Sequence, residues 1–395
     1  MKVKEQNVPV LRFPGFDGEW EQKRLKNLTK INQGLQIAIS ERYTSPIDGG
    51  YFYITNEFLR KNSRTAYYIK NPPESVICNK NDILMTRTGN TGQVVTGVEG
   101  AFHNNFFKIL YKEECDRWFL YYFLTSHKTQ HTILKLAGTS TIPDLNHGDF
   151  YKISISIPFP KEQKKIASFL AAVDSKIEQL SKKKALLEQY KKGMMQKLFS
   201  QELRFKDEQG NEFPDWEERK AGTIFHNHTN KKHNSDLPIL AATQDRGVIP
   251  RNETGLDIKS SKRSIASYKI IEPGDFVISL RSFQGGIEFS EYLGICSPAY
   301  IVLKPSIEIT DEYFKFYFKK EDFISRLNNT VIGIRDGKQI PYSSFAAMKL
   351  NIPCLSEQQK IANFLSSIDK KINLISTELT QAQTFKKSLL QQMFV

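Results

Sequence analysis

The chain contains two closely similar stretches, EQKKIASFLAAVDSKI at residues 162–177 and EQQKIANFLSSIDKKI at residues 357–372. The second begins 195 positions after the first, and the match continues without a gap from 162–199 to 357–394, with about 15 of these 38 positions identical. Two copies are too few for a solenoid, which needs at least three repeats. The repeat therefore predicts a pseudo-twofold molecule made of two similar halves.

Both repeated stretches have the apolar pattern of a coiled-coil helix. Steps of four and three residues give apolar side chains at all but three of twenty positions, which is a narrow seam sustained for about five heptads. The positions are Ile166, Leu170, Val173, Ile177, Leu180, Lys184, Leu187, Lys191, Met194 and Leu198, with Ile361, Leu365, Ile368, Ile372, Ile375, Leu379, Ala382, Lys386, Leu389 and Met393. Because the halves are alike, each helix is the obvious partner of the other, and antiparallel pairing restores the pseudo-twofold.

Antiparallel pairing about the centres of the two repeats also predicts a register. It places Lys191 near Phe364 and Leu365, and Lys386 near Phe169 and Leu170. Each lysine would lay its methylene stem over apolar side chains while its ammonium reaches water.

The segments outside the repeats differ from each other and read as α+β. NDILMTR at 81–87 and GDFVISLR at 274–281 alternate as half-buried strands would, and YFYIT, ISISIP and MKLNIP are further predicted strands. Aromatic-rich helices are predicted for DRWFLYYFLTSHKTQHTILKLA and DEYFKFYFKKEDFISRLN. We expect four parts: globular segments at 1–160 and 201–355, and the repeated helices at 161–200 and 356–395.

Composition indicates the class of partner. Across 395 residues, 56 Lys and Arg face 43 Asp and Glu, and the formal net charge is +13. Such an excess favours a polyanion, nucleic acid first and an anionic membrane second, although a merely basic protein is the alternative. Hydrophobic content of 39% excludes a disordered chain. The four cysteines are scattered without a CxxC pair, so neither a disulfide framework nor a zinc ribbon is indicated.

No targeting or membrane segment is evident in the sequence. The first residues lack an apolar signal core, and the longest apolar run, WFLYYFL at 118–124, is far too short to span a bilayer. We therefore expect a soluble cytoplasmic protein.

Catalytic and metal-binding motifs are weak. NPPE at 71–74 lacks the aromatic residue with which amino-methyltransferases hold a flipped adenine. Pro143-Asp144 followed by EQK at 162–164 fits the loose pattern of metal-dependent nucleases, but the lysine is absent from the second repeat. The histidines at 127 and 131 have no glutamate or cysteine at metal-ligand spacing, so no metal site is predicted.

Together the two globular segments, each ending in I-P-x-x-x-E-Q-x-K-I-A-x-F-L-x-x-x-D-x-K-I, resemble the specificity subunit of a Type I restriction-modification enzyme. The resemblance covers essentially the whole chain. It implies two target recognition domains, each reading half of a split double-stranded DNA sequence, on an antiparallel coiled coil. It also implies two methyltransferase subunits and restriction/motor subunits as partners. S-adenosylmethionine, ATP and Mg would be bound by those partners, with no cofactor and no catalytic residue in this chain.

Residues on predicted loops are the candidates for DNA contact. Arginine can reach guanine bidentately, and Asn or Gln can reach adenine. The candidates are Arg87, Asn90, Gln93, Thr139, Ser140, Arg246, Arg281, Gln284, Arg335, Lys338 and Gln339. Each could equally be a surface charge or a phosphate contact.

Two other functions are compatible with parts of the pattern. A stand-alone DNA methyltransferase or nuclease would require a cofactor or metal site that the motifs do not provide. A coiled-coil scaffold without a DNA role would leave the charge and the two dissimilar globular segments unexplained. As a DNA reader, the chain would use its helices as a ruler, since 38 helical residues span about 57 Å and one turn of DNA about 34 Å.

Overall fold

The structure is a computed structural model, and it describes residues 7–60, 63, 65–138, 141–255, 262–279, 286–330 and 340–395. Backbone contacts divide the chain into two units. The first unit is Met1–Ser181 with Thr377–Val395, and the second unit is Lys182–Ser376. Each unit thus contains one globular segment together with parts of both repeated stretches.

The two repeated stretches form long helices. The first long helix spans Pro160–Phe199 and the second long helix spans Leu355–Gln392. Pro160 is the first helical residue, where its missing N–H would have had no intrahelical acceptor. The prediction of two long uninterrupted helices is confirmed.

Among the described residues, the strands of the first unit form two four-stranded sheets and one two-stranded sheet. They are β1 (Glu21–Arg24), β2 (Thr29–Gln33), β3 (Gly50–Ile54), β4 (Tyr68–Lys70), β5 (Ile77–Cys78), β6 (Ile83–Thr86), β7 (Val94–Val95), β8 (Gly100–Phe102), β9 (Phe106–Tyr111) and β10 (Ser154–Ile157). One sheet has the order β2-β9-β6-β7 and is antiparallel throughout. The other has the order β4-β3-β8-β5, and β1 pairs with β10.

The strands of the second unit repeat part of this topology. They are β11 (Glu217–Lys220), β12 (Phe225–His228), β13 (Leu240–Thr243), β14 (Gly247–Pro250), β15 (Lys269–Ile271), β16 (Phe276–Ile278), β17 (Glu288–Phe289), β18 (Gly294–Cys296), β19 (Ile301–Pro305) and β20 (Lys349–Ile352). The order β12-β19-β16-β17 matches β2-β9-β6-β7, and β11-β20 matches β1-β10. The remaining strands pair differently, as β13-β14 and β15-β18. The sheet next to the helices is therefore the repeated part, and the rest of each globular segment differs.

Short helices complete both units. Those of the first unit are Leu25–Leu28, Arg117–Thr125, His127–Ala137 and His147–Lys152, with 3₁₀ turns at Ile39–Glu41, Asn56–Leu59 and Glu74–Val76. Those of the second unit are Ala221–Ile224, Lys262–Ile265, Asp311–Tyr317, Glu321–Asn328 and Tyr342–Ala347, with a 3₁₀ turn at Arg251–Thr254. With these mixed elements, the α+β fold class predicted from the sequence is confirmed.

The aromatic-rich segments are helical as predicted, and each is divided into two helices. In the first unit the break is at Ser126, whose backbone N–H bonds to Phe123 O at 3.1 Å while its hydroxyl accepts the N–H of Thr129 at 3.3 Å. Serine competes with the helical backbone in this way, which makes it a better cap than an interior helical residue. In the second unit residues 318–320 separate the corresponding helices.

The strand predicted at 81–87 is fully buried rather than half-buried. β6 lies between β9 and β7, and all four of its residues are buried. Ile83 and Met85 belong to the core that the long helices share, while Leu84 belongs to the core on the other face. β16 is covered in the same way in the second unit. Apolar residues that pack on alternate faces of a central strand need no polar alternation.

The long helices contribute directly to the cores of the globular segments. In the first unit Ile166 and Leu170 of the first long helix share a core with Leu389 and Met393 of the second. The second unit repeats this with residues from the end of the first long helix and the beginning of the second. Apolar positions of the predicted seam are therefore also core positions.

Within each unit the two long helices run antiparallel, as predicted. Lys191 binds Asp369 at 2.6 Å in the second unit, and Lys386 binds Asp174 at 2.5 Å in the first. The polar partner of Lys191 lies four residues beyond Leu365, about one helical turn further than the predicted register. The ammonium also lies over the Phe316 ring at 4.9 Å, and the side chain is only 24% exposed. The side chain stays part-exposed, and the prediction did not include its carboxylate partner.

Candidate nucleic-acid interface

An arginine and a buried glutamate join each long helix to the chain that enters the globular segment. Arg12 donates from two nitrogens to Glu162, both at 2.8 Å. Arg204 does the same to Glu357, at 3.1 and 2.8 Å. The side chains of the two glutamates are 2% and 0% exposed. These hydrogen bonds raise the pKa of both arginines, so the guanidinium charge is retained.

The glutamine that follows each glutamate fixes the aromatic-rich helices. Gln163 Oε1 accepts the N–H of Asp116 at 2.7 Å, and Gln358 Oε1 accepts the N–H of Thr310 at 3.0 Å. Both amide nitrogens donate to the carbonyl five residues earlier, at 2.8 and 3.0 Å. The repeated Glu-Gln pair is thus a structural joint that sets the position of each globular segment.

In the first unit the predicted DNA contacts Arg87, Asn90 and Gln93 lie on one loop between β6 and β7. The loop closes on itself: the N–H of Gly92 donates to Thr86 O at 2.8 Å, and the N–H of Gln93 donates to the Thr86 hydroxyl at 2.9 Å. Gly92 has a φ of +88°, a conformation that favours glycine. The loop is therefore a compact, internally bonded turn.

Arg87 is held by an ion pair rather than being free at the surface. Its Nε and Nη2 donate to the two carboxylate oxygens of Asp144 at 3.0 and 2.6 Å, and the side chain is 19% exposed. Its guanidinium also lies 5.8 Å from the centre of the Phe107 ring. Asp144 and Glu162, the carboxylates of the loose nuclease pattern, thus have separate arginine partners.

Asn90 and Gln93 are exposed on the same loop. Their backbone groups carry the internal hydrogen bonds of the turn, since Asn90 O accepts from both the Thr86 hydroxyl and the N–H of Gln93. Both amide side chains are therefore presented to solvent by a turn whose backbone is already satisfied.

In the second unit Arg246 lies in the turn between β13 and β14. Its Nη2 donates to Glu253 O at 3.0 Å, and 48% of the side chain is exposed. The other predicted contacts lie outside the described residues; they are Thr139, Ser140, Arg281, Gln284, Arg335, Lys338 and Gln339.

Arg246 lines an open cleft of about 630 Å³ that also contains an unusual buried ion pair. Lys319 Nζ lies 2.7 Å from both carboxylate oxygens of Glu288, whose side chain is 1% exposed. Burial raises the pKa of Glu288 to about 7, and the neighbouring Lys319 opposes this rise. Glu288 begins β17, so this pair fixes one wall of the cleft. Among the described residues no group of three His, Cys, Asp or Glu side chains is arranged to hold a metal ion.

Comparison with known families identifies both halves. The family model for the Type I restriction modification DNA specificity domain matches residues 17–189 and 214–384. The chain belongs to this family. Each match contains one globular segment and most of the long helix that follows it, so the internal repeat is a repeat of the specificity domain.

Two curated specificity subunits are similar to this chain over about two thirds of their length or more. The chain is 27% identical to the Type I restriction enzyme MjaVIII specificity subunit of Methanocaldococcus jannaschii, covering 98% of this chain and 95% of that one. It is 25% identical to a putative MjaX specificity subunit of the same organism, over 71% of this chain and 67% of the relative.

Solved structures share the fold. The S subunit of a Type I restriction-modification system from M. genitalium superposes with a TM-score of 0.63 at 19% identity, covering 98% of this chain and 99% of that one. A chain from a study of complex assembly and conformational transition in a type I R-M system gives a TM-score of 0.52 at 16% identity, with 95% and 97% coverage.

The arginines of the joint were missed in the sequence, although a signal for them exists. Leu-Arg-Phe occurs at 11–13 and again at 203–205, ahead of each specificity domain. The two copies are 192 rather than 195 positions apart, and both fall just outside the matched ranges. Phe13 packs edge-on against Phe169 with ring centres 5.4 Å apart, and Phe205 packs on Phe364 at 5.5 Å. The tripeptide is therefore part of the structural repeat.

Proposed function

We propose that this chain is the DNA-recognition subunit of a Type I restriction-modification complex and that it reads a split DNA sequence, one half with each specificity domain. The observation that carries this proposal is the pair of family matches, which fall on two units with the same helix-side sheet and different outer strands. A common framework with different exposed loops is what two different half-sites require. The net charge of +13 provides attraction to the phosphate backbone.

In this proposal the chain binds and positions, and other subunits carry out the chemistry. Two methyltransferase subunits and the restriction/motor subunits would assemble with it, and these would bind S-adenosylmethionine, ATP and Mg. The specificity family supports a recognition role, and the comparisons give no support to a stand-alone methyltransferase or nuclease. Among the described residues no helix is long and apolar enough to cross a membrane. We infer that the complex works in the cytoplasm, where the DNA is.

Exchange of one globular segment tests the proposal. Residues 203–353 would be replaced by the corresponding segment of a relative that has a different target, leaving the Glu-Gln joint at 357–358 in place. The modified motif would then be sequenced in a host. We expect one half of the motif to change, while the other half and the spacer stay the same.

The matched control replaces the first globular segment up to residue 158, which should change only the other half. A change in both halves from either exchange would contradict independent reading. An unchanged motif after both exchanges would show that the segments do not read DNA.

A further inference from the structure

We propose that the Arg87–Asp144 ion pair acts by positioning the loop at 87–93, so that Asn90 or Gln93 recognises an A·T pair in the half-site of the first specificity domain. The inference rests on the proposed function, since it assigns roles within a DNA-reading surface. It changes the expected role of Arg87, which its residue type alone would favour as a guanine contact.

The guanidinium of Arg87 is held in one orientation. One edge of its guanidinium, Nε and Nη2, donates to both carboxylate oxygens of Asp144 at 3.0 and 2.6 Å, a bidentate pair that fixes the plane of the group. The planar group is also confined by the Phe107 ring beneath it.

The ion pair is one of several bonds between the loop at 87–93 and the segment at 143–145. The Thr91 hydroxyl donates to Pro143 O at 2.6 Å, and the N–H of Leu145 donates to Arg87 O at 2.8 Å. Thr88 and Asp144 also form an isolated backbone bridge. The loop at 87–93 is thus joined along its length to the segment at 143–145, and Asp144 provides the charged bond of this contact.

The contact between these segments buries part of the loop and leaves two amide side chains exposed. Thr91 is 9% exposed, and its neighbour Gly92 is held by Gln130, whose amide donates to Gly92 O at 2.8 Å. By contrast, Asn90 and Gln93 are exposed, with their backbones bonded within the turn. In the major groove a side-chain amide can donate its N–H to adenine N7 and accept the N–H of the adenine N6 amino group with its oxygen. An amide held on a fixed backbone loses little freedom on binding.

A double-mutant cycle on the full-length chain separates positioning from reading. Binding to a pool of randomised duplexes would be measured, with sequencing of the bound fraction, for Arg87→Ala, Asp144→Ala and the double variant. If the pair positions the loop, each single variant weakens binding by roughly 10-fold. The double variant is then no weaker than either single variant, and the preferred bases keep their ranking.

Asn90→Ala and Gln93→Ala provide the second readout. One of them should lower discrimination at a single A·T position by roughly 5- to 150-fold while leaving the other positions unchanged. Asp149→Ala is the control, since it removes another carboxylate of the first unit, paired with Lys152 at 2.8 Å, and should change neither affinity nor preference.

Three results would overturn the inference. The first is Arg87→Ala losing discrimination at a G·C position while Asp144→Ala behaves as wild type. The second is additive losses in the cycle, and the third is unchanged discrimination in both amide variants. Failure of the proposed function itself would look different, because the wild-type chain would then select no sequence from the pool.

Discussion

Loss of Arg204 should expose how strongly the structural joint stabilises the second unit. Glu357 is completely buried and accepts hydrogen bonds from Arg204 at 3.1 and 2.8 Å and from the Trp216 indole N–H at 3.1 Å. The change Arg204→Ala removes two charge-assisted bonds, each worth about 1.5–3 kcal/mol. It leaves a buried carboxylate with one neutral donor, so we expect the free energy of unfolding of the second unit to fall by about 3–5 kcal/mol.

Calorimetry of the full chain measures this loss. For a unit of this size about 1 kcal/mol corresponds to 2–4 °C, so the second-unit transition should fall by about 6–20 °C. Arg219→Ala is the matched control in the same unit. Its arginine is 45% exposed and pairs with Glu217 at 2.6 Å, and such surface pairs contribute about 1 kcal/mol or less.

A further variant tests the physical reason. In Arg204→Met with Glu357→Met the uncompensated charge is gone, so the double variant should be more stable than Arg204→Ala. The reasoning is refuted if Arg204→Ala costs no more than the Arg219 control, or if the double variant is the least stable of the set.

Three more predictions concern the buried pair, the helices and the spacer. Burial raises the pKa of Glu288 in the folded state to about 7, against 4.5 ordinarily. Its contribution to the free energy of unfolding is therefore full below pH 4.5, and about 3 kcal/mol is lost as the pH rises through 7. Glu288→Gln should abolish this pH dependence in urea titrations across the same range. Lys191→Met removes the partner of the part-exposed Asp369, and we expect the free energy of unfolding, measured in urea, to fall by about 1 kcal/mol. A fall of more than about 3 kcal/mol would show that this part-exposed ion pair is not weak. Four residues inserted into each long helix, where it passes from one unit to the other, add about 6 Å of length and a net rotation of about 40°. The spacer of the methylated motif should then lengthen by one base pair or at most two. An unchanged spacer would show that the helices do not set its length.

The sequence was most informative where one pattern repeated over many residues. The seam from Ile166 to Leu198 predicted the first long helix because the spacing is sustained for about five heptads. The same pattern could not reveal that Ile166 and Leu170 also pack into a globular core, since burial against a sheet and burial against a helix require the same apolar side chains.

Local competition and long-range pairing accounted for the features that were not predicted. Ser126 interrupts a segment whose aromatic content favours one helix, because its hydroxyl satisfies the backbone of the next helix. The partners of Arg87 and Arg12 lie 57 and 150 positions away along the chain, so no local pattern could identify them. The predicted contacts at 139, 140, 281, 284, 335, 338 and 339 lie outside the described residues and stay predictions.

The division of the chain into units has a consequence for its synthesis on the ribosome. The second unit is one continuous stretch, whereas the core of the first unit includes Leu389, Met393 and Phe394, which come after the whole second unit in the chain. At about 5–20 residues per second, these residues follow the first globular segment by about 12–47 s. We therefore expect the domain that is made first to be the last to finish folding. A truncation that removes Leu389, Met393 and Phe394 would then damage the unit that is made first.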